Sequence, residues 1–343
     1  MRLVRTIHPV GHGCFCSERF YEDGGQNVFN VVYDCGSKTL AQQDLYSLTD
    51  AEFVNDSEID ILFISHFHDD HINGVDHLLS RCKVKKVVVP FVGQEGALLY
   101  MIHHFLYDND PNNTLTPLIE TLSLGNTLAN NVPIERIEVN STSVYGGASV
   151  NPYWKYKPVV SPPYKSAGRM SNSINGLVNS LLRSPFRLVI QSQSPLVVDY
   201  SLFRQILVVP INFHKLEKIY NYHRLHDNRF NMALFSGSFE ARNNLSNCLF
   251  TGDYEAKYKY RINYLQTALA HDFNRLNIVQ IPHHGSSSSH SIKLYKPGET
   301  CFVCDTQQSS RSNRIVRSLN CLGCILHKVT ENSINRLSWS INI

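Results

Sequence analysis

The sequence predicts an α/β fold in which sheets are covered by helices and interrupted by one large insertion. Three observations carry this reading. Short apolar runs alternate with helix-spaced ones through about the first hundred residues. The alternation stops near residue 96 and resumes near 230. The ends of several predicted strands carry histidine and aspartate where ordinary turn residues are usual.

The elements follow in chain order. "NVFNVVYDCGS", residues 27–37, is a β-rich run ending in Asp-Cys-Gly. "IDILFIS", 59–65, is short and apolar enough for a buried strand. Beyond it Ile72, Val75, Leu78 and Leu79 recur at helical spacing. "VKKVVVPF", 84–91, reads as another buried strand, ended by Pro90. "EGALLYMIHHFLY" and "LTPLIETLSLG" are helical patterns within the insertion. A stretch rich in Pro, Ser, Tyr and Lys follows, "NPYWKYKPVVSPPYKSAGRMSNS". "NMALFSG" and "NCLFTGD" resume the strands, and residues 254–273 read as one long helix. "LNIVQIPHHGSSSS" is a strand running into a polar loop, and "CFVCD", "CILHKVT" and "RLSWSINI" are closing strands. The expected organisation is a single domain with its core at 1–95 and 231–343 and the insertion at 96–230.

Composition bounds the class. A chain of 343 residues, 43% hydrophobic and 18% charged, is ordinary for a globular protein. A formal net charge of +3 does not by itself announce a nucleic-acid binder. Nine scattered cysteines, an odd number, argue against a disulfide framework and for a reducing compartment. "MRLVRTIHPVGHG" has no apolar core of a secretory signal, and no run approaches the roughly 20 apolar residues of a membrane span. The expectation is a cytoplasmic protein with no membrane partner.

"HFHDDH", residues 66–71, is the strongest chemical signal. Strand-end spacing puts His66 and His68 on one side, and Asp70 and His71 follow in the turn into a helix. Imidazoles with carboxylates suit zinc, or manganese where more oxygen ligands join. A helix cap accounts for one aspartate but not for three histidines. Two later strands end in matching chemistry, "LFTGD" at Asp253 and "IPHHGSS" at His283 and His284. Each is weak alone; at the tips of successive strands they reinforce the first.

At these residues the chain resembles the metallo-β-lactamase superfamily, and more narrowly the metallo-hydrolase domain of the DNA-uptake protein ComEC. "PVGHGCF" sits where that family has a Val-Gly-Gln-Gly loop, "VVYDCG" matches its apolar strand ending in Asp and Gly, and "HFHDDH" its His-x-His-x-Asp-His. "LFTGD" and "IPHHGSS" match its last two motifs. The resemblance covers residues 1–95 and 231–343 and implies an αββα sandwich with a dinuclear site on one edge. It implies two divalent ions, zinc or manganese. His66 and His68 hold the first; Asp70, His71 and His283 hold the second; Asp253 bridges them. Asp34 orients the site and His284 lies close to substrate, where it could protonate a leaving group. Many members supply a further histidine to the first metal from a Gly-His loop that this sequence lacks. His214, His223, His226, Asn228 and Asn231 are the available substitutes.

Two other features bear on partners. Cys301, Cys304, Cys321 and Cys324 have the spacing of a zinc ribbon. Strand alternation turns Cys301 and Cys304 to opposite faces, which favours ordinary buried cysteines. From 153 to 230 eleven lysines and arginines face three acids, a net of +8. Lys155, Lys157 and Lys165 interleave with Trp154 and three tyrosines, which suits a nucleic-acid cradle. A solvated surface whose aromatics pack on the core fits equally. Three functions follow as expectations. One is a phosphodiesterase or nuclease, in which a hydroxide bridging two ions attacks phosphorus in line on a nucleic acid or nucleotide. Another is an ester, lactone or lactam hydrolase on the same site. The third is a conditionally active module that docks a protein through the insertion.

Overall fold

The structure is a computed structural model. It describes residues 1–107, 115–147, 153–162, 176–188, 190–191, 197–207, 209–223, 230–239, 246–310, 312–332 and 336–343. The chain divides into two compact units, one of residues 1–91, 126–162 and 231–343, the other of 92–125 and 163–230.

The first unit is built on two sheets. The strands are β1 (Arg2–Ile7), β2 (Gly13–Tyr21), β3 (Asn27–Ser37), β4 (Glu58–Ile59), β5 (Ile61–Phe63), β6 (Lys83–Val84), β7 (Val87–Pro90) and β8 (Ile134–Ile137). They continue with β9 (Trp154–Val160), then, in the second unit, β10 (Ile190–Gln191) and β11 (Val197–Val198). The first unit resumes with β12 (Met232–Ser238), β13 (Cys248–Phe250), β14 (Ile278–Gln280), β15 (Thr300–Cys304), β16 (Ile325–Val329) and β17 (Leu337–Asn342). One sheet runs β17-β1-β2-β3-β5-β7-β8 and the other β16-β15-β14-β13-β12-β9. β3, β5, β7 and β8 are parallel, as are β13 to β16, so their carboxyl ends share a side within each sheet.

Period-two alternation explains the layers. Leu3, Ile7, Val31, Tyr33, Ile61 and Phe63 of the first sheet pack against Trp154, Tyr156, Met232, Leu234, Phe250 and Phe302 of the second. The intervening residues of the second sheet, Ala233, Phe235, Leu249, Val279, Cys301 and Val303, meet Ile262, Leu265, Leu269, Ile315 and Leu319 from the helices Lys259–Leu269 and Asn313–Cys321. Helices Gln42–Glu52 and Val75–Arg81, with buried Leu45, Val75 and Leu78, accompany the first sheet. This is the expected αββα sandwich.

Two expectations are corrected. The segment 96–230 is not one insertion, because 126–162 belongs to the sandwich and supplies an edge strand to each sheet, β8 and β9. The long helix over 254–273 is shorter, starting at Lys259 and ending at Leu269. Ala270 then takes φ 48°, which breaks the helical path before the short turn His271–Asn274.

Among its described residues the second unit is mainly helical, with helices Gly93–Tyr107, Leu115–Leu124, Tyr200–Leu207 and Pro210–His223 and the small antiparallel pair β10 and β11. Leu98, Ile102, Ile119, Leu122, Phe186, Phe203 and Leu216 are buried in it.

Candidate metal centre

Four parallel strands aim the site residues. Asp34 is on β3, where a register shift against β2 falls between Phe15 and Cys16. The bulge leaves Asp34 with φ 55° and its carboxylate fully buried. His66 and His68 lie in the extended segment after β5, and Asp70 and His71 on the short helix Asp69–Ile72. Asp253 follows β13. His283 and His284 follow β14, both with φ 50°. Non-glycine residues in that region cost about 1–3 kcal/mol each and persist where surroundings enforce them.

The side chains form two ligand sets about Asp253. His66 Nε2 and His283 Nε2 lie 3.6 and 3.5 Å from its Oδ2. His71 Nε2 and His284 Nε2 lie 3.5 and 3.8 Å from its Oδ1. His68 Nδ1 is 3.0 Å from His66 Nε2 and joins the first set. Asp70 Oδ2 is 3.1 Å from His284 Nε2 and 3.9 Å from His71 Nε2, joining the second. The two adjacent histidines are therefore distributed otherwise than the resemblance implies. His284 sits with the second set, and His283 faces the first, where a histidine from a separate loop was missing.

Hydrogen bonds behind the rings settle which nitrogen faces inward. Asp34 Oδ2 accepts from the Ser65 hydroxyl (2.7 Å) and from His71 Nδ1 (2.8 Å), while Oδ1 accepts from Ser65 N (2.6 Å). Because the Ser65 proton points to Asp34, its oxygen is free to accept from His66 Nδ1 at 2.9 Å. His284 Nδ1 donates to the Cys304 carbonyl at 2.9 Å, since a carbonyl only accepts. In their neutral forms these three imidazoles present Nε2 lone pairs to one small volume, the arrangement a cation requires. His71 Nε2 is buried, with carboxylate oxygens at 3.5 and 3.9 Å and no hydrogen bond of good geometry. These residues fit divalent metal ions.

Electrostatics agree. Burial disfavours charge on Asp253, yet His283 and His66 outweigh it and hold the carboxyl well below the usual range. Asp70 behaves alike, with His71 and His284 overcoming burial. His66 is pushed down to about 3 by burial and by His71. Burial works against charge on His71, but Asp70 and Asp34 raise it well above normal. The pocket holds buried negative charge that calls for cations.

Other expected residues lie elsewhere. Asn231 Nδ2 is 3.2 Å from His66 Nδ1, on the far side of the ring from the Nε2 that faces Asp253, so Asn231 does not replace a ligand. His214 is exposed in the second unit, 3.7 Å from Glu217. His226, Asn228 and Lys165 lie outside the described residues, as does the His223 side chain. Trp154 is not a stacking platform: it is fully buried between the sheets, its Nε1 donating to Ser236 Oγ at 3.0 Å. Lys155 pairs with Asp272 at 2.9 Å and Lys157 Nζ donates to the Ala268 carbonyl at 2.6 Å, so both are committed to structure. Cys301 and Cys304 face opposite cores, Cys321 is exposed, and the four cysteines form no joint ligand group among the described residues. Sequence reading missed His12, which lies 3.4 Å from Asp70 Oδ2; its placement between two glycines was the available signal.

Residues 22–156 match the family model described as the metallo-beta-lactamase superfamily. No curated protein sequence matches. Among solved structures the chain is similar to the E377D mutant of CmlA beta-hydroxylase, at 11% identity and a TM-score of 0.45. All of this chain is covered there, but it spans only 54% of that protein. A diphosphatase of the PhnP family is similar at 10% identity and TM-score 0.43, covering 99% of this chain and 98% of its own. Unliganded yeast PDE1 is similar at 10% identity and TM-score 0.43, with 96% and 98% covered.

Proposed function

We propose, from the premise that the chain carries a metallo-β-lactamase superfamily domain, that it is a dinuclear metal-dependent phosphodiesterase acting on a nucleotide or nucleic acid. The observation that carries this is Asp253, whose two oxygens each face a separate histidine set. His66, His68, His283 and Asp253 would hold one ion, and Asp70, His71, His284 and Asp253 the other. Such a pair supplies an activated water and positive charge for phosphoryl oxygens.

The chain's own groups do the rest. Asp34 holds His71 with Nε2 inward, and the Cys304 carbonyl does the same for His284. Ser65 ties Asp34 to His66, so both ligand sets share one rigid support. His283 remains partly accessible, with 28% of its side chain exposed. The phosphodiester assignment is favoured by the ComEC-like motifs and by the net +6 of residues 163–230, nine lysines and arginines against three acids. Lys155, Lys157 and Trp154 do not contribute to a cradle.

The test is a substrate panel on metal-loaded protein: single- and double-stranded DNA, RNA, cyclic nucleotides, a generic aryl phosphodiester, a lactone and a lactam. Turnover of one or more phosphodiesters is expected. Hydrolysis confined to the lactone or lactam would reverse the substrate assignment while keeping the metal centre.

A further inference from the structure

We propose that His12 is a fifth protein ligand of the second metal position, biasing it toward a six-coordinate ion such as Mn²⁺ over tetrahedral Zn²⁺. The inference rests on the dinuclear reading above. His12 Nε2 is 3.4 Å from Asp70 Oδ2, and its ring lies against His284 with centroids 3.9 Å apart and planes tilted by 31°. Ligand atoms of His12, Asp70 and His284 all lie within 4.8 Å of one another. His12 thus shares Asp70 and His284, two members of the second set, while His71 and Asp253 group separately with the same His284.

The loop around His12 is built to place it. His12 N donates to Thr39 Oγ1 at 2.9 Å, and Lys38 N donates to the His12 carbonyl at 2.7 Å. Gly11 has φ 65°, and a Cβ there would stand 2.8 Å from Thr39 Oγ1. A Cβ at Gly13 would stand 2.4 Å from the Gly36 carbonyl oxygen. Only glycine on each side lets the loop lie this close to the end of β3. The imidazole between them is thereby held over Asp70, with 21% of its side chain accessible.

Coordination chemistry gives the consequence. Asp70, His71, His284 and Asp253 would already supply four ligands, the number usual for zinc. A fifth ligand exceeds it and, with one solvent position, matches ions that prefer six.

The experiment titrates Mn²⁺ and Zn²⁺ into chelator-stripped full-length protein by calorimetry, with Mn²⁺ also followed by electron paramagnetic resonance. Wild type, His12→Ala and His12→Gln are compared, glutamine keeping the bulk of the loop. Wild type is expected to bind two ions. In both variants one Mn²⁺ site should weaken by about tenfold to a hundredfold, with a smaller loss for Zn²⁺. Unchanged Mn²⁺ binding in the two variants overturns the proposal and leaves the dinuclear centre standing. Equal losses for the two metals overturn the bias toward six-coordination. A wild-type protein that binds fewer than two ions overturns the dinuclear reading itself.

Discussion

Asp253 is the residue on which the centre turns. Converting it to asparagine keeps the size but removes the charge that compensates two neighbouring cations. Asp253→Asn should lower bound metal from two ions to one or none and abolish turnover, with the far-ultraviolet circular dichroism unchanged. Near-normal activity in this variant would show that the residue only forms a turn. Asp34 acts from behind the ligands. In Asp34→Ala, Ser65 N and His71 Nδ1 lose their buried acceptor. The expected cost is about 1–3 kcal/mol of stability for each group left unsatisfied, together with about 10–100-fold weaker metal binding. Urea unfolding and metal titration measure the two effects separately, and a variant unchanged in both would leave Asp34 without a role. The identity of most site residues was legible because neither turn formation nor helix capping calls for histidine at successive strand ends. Their partition was not: His283 and His284 are adjacent, and only the left-handed turn after β14 sends them to opposite sides of Asp253.

At the scale of elements, β9 shows how composition misleads. Lysine alternating with aromatics resembles a nucleic-acid surface, but in a strand the same alternation separates two faces. Trp154 and Tyr156 face the inter-sheet core, and Tyr156 donates to Glu18 at 2.6 Å. Trp154→Ala should destabilise the fold by about 3–5 kcal/mol and leave any preference between single-stranded and duplex ligands unaltered. A selective loss on single strands in a stable variant would restore the stacking role. The turn into β15 holds a titrating group. Burial raises Glu299 from 4.5 to about 7, only partly offset by hydrogen bonding from Lys296 N and the charge of Lys296. The folded state therefore keeps this proton more firmly than the unfolded chain. Glu299 imposes no penalty below about pH 4.5, and stability falls as pH rises toward about 7. Glu299→Gln should raise Tm at pH 8 and leave it unchanged near pH 4.5; Tm curves that run parallel across this range exclude the mechanism.

At the scale of the molecule, the hydrophobic cluster of the sandwich is drawn from both sheets and includes none of the metal ligands. Stripping metal should therefore leave a folded protein. Metal at a hundredfold excess over its Kd should add about 2.7 kcal/mol per site, read as a rise in Tm. An apo form without native circular dichroism would mean that metal binding drives folding. No described helix is long and apolar enough to cross a membrane. The sequence by itself determined the α/β class, most of the strands and the set of metal-binding residue types, because periodicity and strand-end chemistry are local. Whether a segment near residue 154 belongs to an insertion or to a sheet edge depends on pairing with β12, about 80 residues later. The same holds for Asp34, exposed to the site by a bulge against β2, and for His12, carried to Asp70 by the approach of its loop to β3. These placements are settled by contacts between distant segments, and local patterns do not encode them.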